Sequence, residues 1–222
     1  MITPHIKICG LTREEDAALA EAAGAAYLGV ILAGGPRLLT PDRARLVLGS
    51  PRHTVRRVAV FGDSSTREVV ALAEQLELDV VQLHGTRSAA AVTQIARESG
   101  RQVWPVLRIA GTTLPPDAAE LAAICGFIVL DAHVVGQLGG TGVALDWSGL
   151  ADSVSALRES VPGLHLVLAG GLRAENVREA IRLLSPQVVD VSSGVESAPG
   201  VKDPVRVQQF VQAALDAAET SR

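Results

Sequence analysis

Cys9 closes the apolar run Ile6-Lys7-Ile8-Cys9, and Asp131 closes Phe127-Ile128-Val129-Leu130-Asp131. A thiolate can take a proton and a neutral carboxyl can give one, so the two types together could run acid–base chemistry. Each also has a plainer reading. A lone cysteine is more often a small buried hydrophobe, and an aspartate after a strand can be a helix N-cap or an ion-pair partner. A carboxyl directly after a buried apolar run does, however, sit where desolvation favours the protonated acid. His84, in Gln82-Leu83-His84-Gly85, has the chemistry of an acid, a ligand or a satisfied core histidine. Arg37 offers a planar fork for a carboxylate, or is a solvated surface arginine. Cys9, His84 and His133 would make a soft metal set. No pair spaced as His-x-x-x-His or Cys-x-x-Cys supports it, so no metal is assigned.

The glycine-rich loops add a second kind of chemistry. Gly170-Gly171 follows the run Leu164–Leu168, and Ser192-Ser193-Gly194 follows Val188–Val191. Glycines let backbone amides approach an anion, and a helix start behind them adds a positive dipole. One Gly-Gly is a common turn. Two such loops after successive strands point to a phosphorylated ligand. Neither a Gly-x-x-x-x-Gly-Lys-Ser/Thr loop nor a supported dinucleotide fingerprint is present, and no cofactor is assigned.

These residues need elements to position them. Short, nearly continuous apolar runs occur at His5–Cys9, Ala26–Leu32, Val55–Phe61, Asp79–Gln82, Gln102–Leu107, Gly126–Leu130, Leu164–Leu168 and Val188–Val191, as expected of parallel strands buried on both faces. Helix signals alternate with them. Thr12-Arg13-Glu14-Glu15 and Ser65-Thr66-Arg67-Glu68 have capping-box spacing. Thr40-Pro41 and Asp203-Pro204 place a capping oxygen before a proline. Val177, Ala180, Ile181 and Leu184 form a helical stripe, as do Val207, Phe210, Val211, Ala214 and Leu215. Further helices are expected near residues 116–123 and 147–159. Eight strand–helix units predict a single-domain (β/α)8 barrel over residues 1–222, with a doubly wound open sheet as the runner-up. In a barrel, the carboxyl ends of the strands share one face, where chemistry occurs. Cys9, Arg37, His84, Asp131, the loop Gly139-Gly140-Thr141-Gly142 and the two phosphate loops all fall there.

Composition excludes other classes. Of the 222 residues, 48% are hydrophobic and 20% charged, which rules out a wholly disordered chain. Aromatics are 3% and the net charge is −4 without a basic run, which argues against a nucleic-acid binder. The charge-free stretches are too short for a membrane helix, and the start lacks a signal-peptide pattern. A cytoplasmic protein without nucleic-acid or membrane partners is expected. The two cysteines, Cys9 and Cys125, would lie at opposite ends of a barrel, too far apart for a disulfide.

Taken together, the motifs resemble the phosphoribosylanthranilate isomerase family of tryptophan biosynthesis. The matching pieces are Lys7-Ile8-Cys9-Gly10-Leu11-Thr12, Val81-Gln82-Leu83-His84-Gly85, Leu130-Asp131, Gly139-Gly140-Thr141-Gly142 with Asp146-Trp147, Leu168-Ala169-Gly170-Gly171-Leu172 with Asn176-Val177, and Val189-Asp190-Val191-Ser192-Ser193-Gly194-Val195-Glu196 with Pro199-Gly200 and Lys202-Asp203. They keep the family order from residue 6 to 203. The resemblance implies a cofactor-free Amadori rearrangement with Asp131 as general acid and Cys9 as general base. Asp131 must then be protonated near neutral pH, and Cys9 must have a lowered pKa. It further implies that Arg37 meets the anthranilate carboxylate. Gly170, Gly171, Ser193 and Gly194, with adjoining Ser192, would hold the phosphate. His84, Gly140 and Asp190 would line the substrate. One departure is visible: Ala33-Gly34-Gly35-Pro36-Arg37 stands where the family usually has a Lys and a Ser before Pro-Arg, and the loop is about one residue shorter by motif alignment. A mobile Gly34-Gly35 flap is the expectation from that change.

Three functions follow for comparison: this isomerase, another sugar-phosphate barrel lyase or epimerase, and a non-catalytic sensor of a phosphorylated metabolite. The scarcity of lysine and of metal ligands weighs against the second. The presence of both Cys9 and Asp131 weighs against the third. A monomer and a homodimer are both compatible with the sequence.

Overall fold

A computed structural model describes residues 3–132 and 145–219. Strands and helices alternate as β1 (His5–Ile8), α1 (Glu14–Ala22), β2 (Tyr27–Ile31), α2 (Pro41–Leu48), β3 (Arg56–Phe61), α3 (Thr66–Gln75), β4 (Val80–Leu83), α4 (Ala89–Ser99), β5 (Gln102–Ile109), α5 (Ala118–Cys125), β6 (Phe127–Ala132), α6 (Trp147–Ser160), β7 (His165–Leu168), α7 (Val177–Leu184), β8 (Val188–Val191) and α8 (Pro204–Glu219). Between β8 and α8 lie a 3-10 turn (Ser193–Val195) and a hairpin of β9 (Glu196–Ala198) and β10 (Val201–Lys202). Neighbouring strands pair in parallel from β1 to β8. β8 then pairs with β1, from His5↔Val188 to Ile8↔Val191, which closes the barrel and rules out the open sheet.

Each strand falls on its expected apolar run to within two residues. The helix starts follow their capping chemistry with one exception. Ser65 and Glu68 form the reciprocal capping box, Thr40 accepts from the Arg43 amide, and Asp203 accepts from the amides of Val205 and Arg206. Thr12 does not cap α1. Its hydroxyl donates to the Gly200 carbonyl at 2.5 Å and ties the first loop to the β9–β10 hairpin, so α1 starts from Arg13 without a side-chain cap. In α7 the full stripe is buried, whereas Leu215 of α8 is exposed, because only Val207, Phe210, Val211 and Ala214 turn inward.

Two apolar cores result. The larger lies between the strands and the surrounding helices. The smaller fills the barrel itself, with Tyr27, Val58, Val80, Trp104, Val129, Val167, Ala169 and Val188. Side chains alternate along a strand with period two. Two residues beyond Val80, Val129 and Val188 the inward positions are Gln82, Asp131 and Asp190. The packed core therefore hands over to polar groups at the carboxyl ends of the strands.

Candidate active site

A cavity of about 510 Å³ opens at that end of the barrel. It is lined by ten of the residues selected from the sequence: Cys9, Arg37, His84, Asp131, Gly170, Gly171, Asp190, Ser192, Ser193 and Gly194. Gly140 and His133 lie outside the described residues. Both cysteines are free. Among the described residues, no group of three or more His, Cys, Asp and Glu side chains is placed to hold a metal ion.

Asp131 sits in a built position. His84 Nε2 lies 3.0 Å from its Oδ2, and the Ala132 amide donates to its Oδ1 at 2.9 Å. The contact with His84 is a hydrogen bond that fixes the orientation of the carboxyl. Gly170, at φ 84°, makes room for the carboxyl. A Cβ there would lie 2.7 Å from Ala132 N and 2.9 Å from Asp131 Oδ1. Gly170, expected from sequence at a phosphate, is seen here to shape the wall behind Asp131.

Cys9 lines the same cavity in a different environment. It is buried beside Lys7, whose Nζ donates to Asp190 Oδ2 at 2.7 Å. Burial alone would lower the Lys7 pKa, but Asp190 and Cys9 outweigh it and hold the ammonium charged. The thiol departs from the expectation of a lowered pKa. Burial pushes it up, and the Lys7 ammonium opposes that only in part. The thiolate is therefore scarcer than in free cysteine but a stronger base. Among the described residues, neither Asp190 Oδ1 nor Gln82 Oε1, both buried, has a hydrogen-bond partner. Buried acceptors of this kind cost stability unless something fills them.

Arg37 crosses from the loop after β2 to Glu196 on β9. Its Nε and Nη2 meet the two carboxylate oxygens at 2.8 and 2.6 Å. Lys202 also donates to Glu196, at 2.8 Å, and to the Ser192 carbonyl at 3.1 Å. Sequence reasoning passed over Lys7, Gln82, Glu196 and Lys202 as functional residues. The signal was available for two of them: Lys7 stands two residues before Cys9, and Gln82 two before His84, on the same strand faces. Another signal was composition. Lys7 and Lys202 are the only two lysines in the chain, every other cation of the Lys/Arg type being arginine. Both are almost wholly buried, at 0% and 2% exposure.

With this geometry in hand, likeness to known proteins becomes informative. The family model described as N-(5'phosphoribosyl)anthranilate (PRA) isomerase matches residues 6–213. The chain belongs to this isomerase family. An N-(5'-phosphoribosyl)anthranilate isomerase from Geotalea uraniireducens is 39% identical over 210 residues, covering 94% of this chain and 97% of the relative. The crystal structure of phosphoribosyl anthranilate isomerase from Thermotoga maritima superposes with a TM-score of 0.82 at 31% identity, covering 95% of this chain and 98% of that one. A further isomerase crystal structure holds reduced 1-(o-carboxyphenylamino)-1-deoxyribulose 5-phosphate. It matches with a TM-score of 0.79 at 31% identity, over 95% and 98% of the two chains. Membership in the isomerase family fits a cavity lined by Asp131, Cys9, Arg37 and two glycine-containing loops.

Proposed function

We propose that this chain converts N-(5'-phosphoribosyl)anthranilate to 1-(2-carboxyphenylamino)-1-deoxyribulose 5-phosphate, with Asp131 as acid and Cys9 as base. The observation that carries the reading is one cavity bounded by both groups, with the Gly170-Gly171 and Ser192–Gly194 loops and Arg37 also in its wall. Backbone amides of the two loops suit the phosphate, and the Arg37 guanidinium suits the anthranilate carboxylate. Such anchoring at both ends of the substrate presents the sugar carbons to the acid and the base.

In the first step Asp131, as the carboxylic acid, gives its proton to the furanose ring oxygen. The bond from that oxygen to C1 breaks, and the anthranilate nitrogen lone pair forms the C1=N iminium. The Cys9 thiolate then removes the proton from C2. The C2–H electrons form the C1=C2 double bond and neutralise the iminium. The resulting enolamine tautomerises, C1 gaining a proton and the C2 hydroxyl becoming the ketone. Atoms and charge balance without an oxidant, reductant or metal. His84 orients Asp131 through their hydrogen bond. The Lys7 ammonium, tied to Asp190, supplies the counter-charge for the thiolate. The free Oδ1 of Asp190 suits a sugar hydroxyl.

The substrate class is a small phosphorylated aminosugar. No helix among the described residues is long and apolar enough to cross a membrane. Freshly prepared phosphoribosylanthranilate tests the reading through the loss of its anthranilate fluorescence. Turnover that survives a strong chelator is expected. A well-folded protein without turnover would overturn the assignment.

A further inference from the structure

The Arg37–Glu196 contact poses a problem for an arginine that is to bind a substrate carboxylate. A guanidinium carries five N–H donors. Glu196 takes the Nε–H and one hydrogen of Nη2, in a two-point contact along one edge. Nη1 makes no hydrogen bond among the described residues, so the Nη1–Nη2 edge remains for a second two-point contact. Arg37 lines the cavity, and its side chain reaches Glu196 by passing over Gly10. A Cβ at position 10 would lie 2.5 Å from Arg37 Cδ and 2.7 Å from Ser192 Oγ, so the path needs glycine there.

Charge raises a second difficulty that the structure also resolves. An arginine fully neutralised by a glutamate attracts an anion weakly. Here Lys202 joins the same carboxylate, so two cations meet one anion and a positive charge is left over. Arg37, Glu196 and Lys202 are 8%, 6% and 2% exposed, so solvent does little to screen it. The group is itself fixed from outside the cavity. Asp16 accepts from the Lys202 amide at 3.0 Å and from the Arg13 side chain, and Arg206 donates to the Glu196 carbonyl.

We propose that Glu196 and Lys202 are positioning residues for Arg37. Glu196 holds the guanidinium by one edge and turns the other toward the aglycone carboxylate of the substrate, while Lys202 keeps the cluster cationic. Together they set the preference for a carboxylated over an uncarboxylated arylamine. The inference rests on the role assigned to Arg37 above and adds the device that enforces it. Burial alone would raise the Glu196 pKa, but its two cations hold it below the usual range; burial in turn pulls Lys202 below the ordinary lysine value, against the opposing pull of Glu196.

The test compares two stable ligands by calorimetry: the reduced carboxyphenylamino-deoxyribulose phosphate and its phenylamino counterpart without the carboxyl. Wild type is expected to prefer the carboxylated ligand by about tenfold to a hundredfold, as a charge-assisted pair of hydrogen bonds implies. In Glu196→Gln that ratio is expected to fall by about tenfold, with affinity for the phenylamino ligand unchanged. Lys202→Met should reduce the ratio similarly, and Lys202→Arg should restore it. A purely structural role would weaken both ligands equally. Equal affinities in wild type would overturn the Arg37 assignment itself. A wild-type preference that persists undiminished in Glu196→Gln would overturn the positioning role. Should Glu196→Gln fail to fold, the lysine pair decides: an undiminished ratio in Lys202→Met refutes the proposal, and loss with rescue by arginine supports it.

Discussion

The two ends of the barrel interior are built from the same strands by the same alternation, yet they hold opposite chemistry. At the amino ends, rings pack in a row across the mouth. Tyr27 and Trp104 lie 5.0 Å apart, Trp104 and Phe127 stack at 5.5 Å, and Phe127 and His165 stack at 4.5 Å. His5 meets Tyr27 edge-on at the other end of the row. At the carboxyl ends, the inward positions hold Cys9, Gln82, His84, Asp131 and Asp190, and several of their polar atoms lack partners among the described residues. One end is packed with rings and aliphatic side chains; the other is lined with polar groups around a cavity. The apolar packing of the barrel interior thus lies away from the cavity.

Substitutions at the two ends should therefore have different signatures. Trp104→Ala at the packed end is expected to cost about 3–5 kcal/mol of stability, measured by denaturant unfolding. Turnover per folded molecule at low temperature should stay near wild type. A large fall in kcat without unfolding would break the division between the ends. At the cavity end, Asp190→Leu leaves the Lys7 ammonium buried and unpaired and is expected to cost about 3–5 kcal/mol. The double change Lys7→Met with Asp190→Leu removes both charges. It should recover most of that stability, since a buried ion pair replaced by apolar groups is often neutral or stabilising by about 1–4 kcal/mol. Activity should remain lost. A double variant as unstable as the single would mean that the ion pair serves the fold.

A smaller effect sharpens the account of Cys9. Burial disfavours the thiolate, so alkylation by iodoacetamide should reach half its limiting rate above the ordinary thiol value of about 8.5. The Lys7 ammonium stabilises the thiolate, so Lys7→Met should move the midpoint further up. A midpoint below the ordinary value in wild type would contradict the burial of Sγ.

Much of this was legible in the sequence. Parallel strands buried on both faces read as continuous apolar runs, so all eight could be placed, and the barrel rule then put Cys9, Arg37, His84 and Asp131 on one rim, while Asp190 came only from the family resemblance. Capping residues located helix starts where the hydroxyl or carboxyl had no competing partner, as at Ser65. They failed at Thr12, because a hydroxyl bond to Gly200, distant in sequence, cannot be seen in local spacing. The Arg37–Glu196–Lys202 cluster was hidden for the same reason. Its members lie on two segments separated by most of the chain, and each alone is an ordinary charged residue. The protonation balance of Cys9 was also beyond local sequence. It depends on how far burial outweighs a cation two residues away, and that requires the packed barrel.

In the proposed mechanism, Asp131 and Cys9 form the acid–base pair of the isomerisation. Steady-state turnover of phosphoribosylanthranilate by Cys9→Ala and Asp131→Asn tests it most directly, with folding and binding of the reduced product analogue checked in parallel. Each variant is expected to bind the analogue and to lose kcat by at least about a hundredfold, the usual scale for removing a general acid or base. Wild-type kcat in either folded variant would contradict the account.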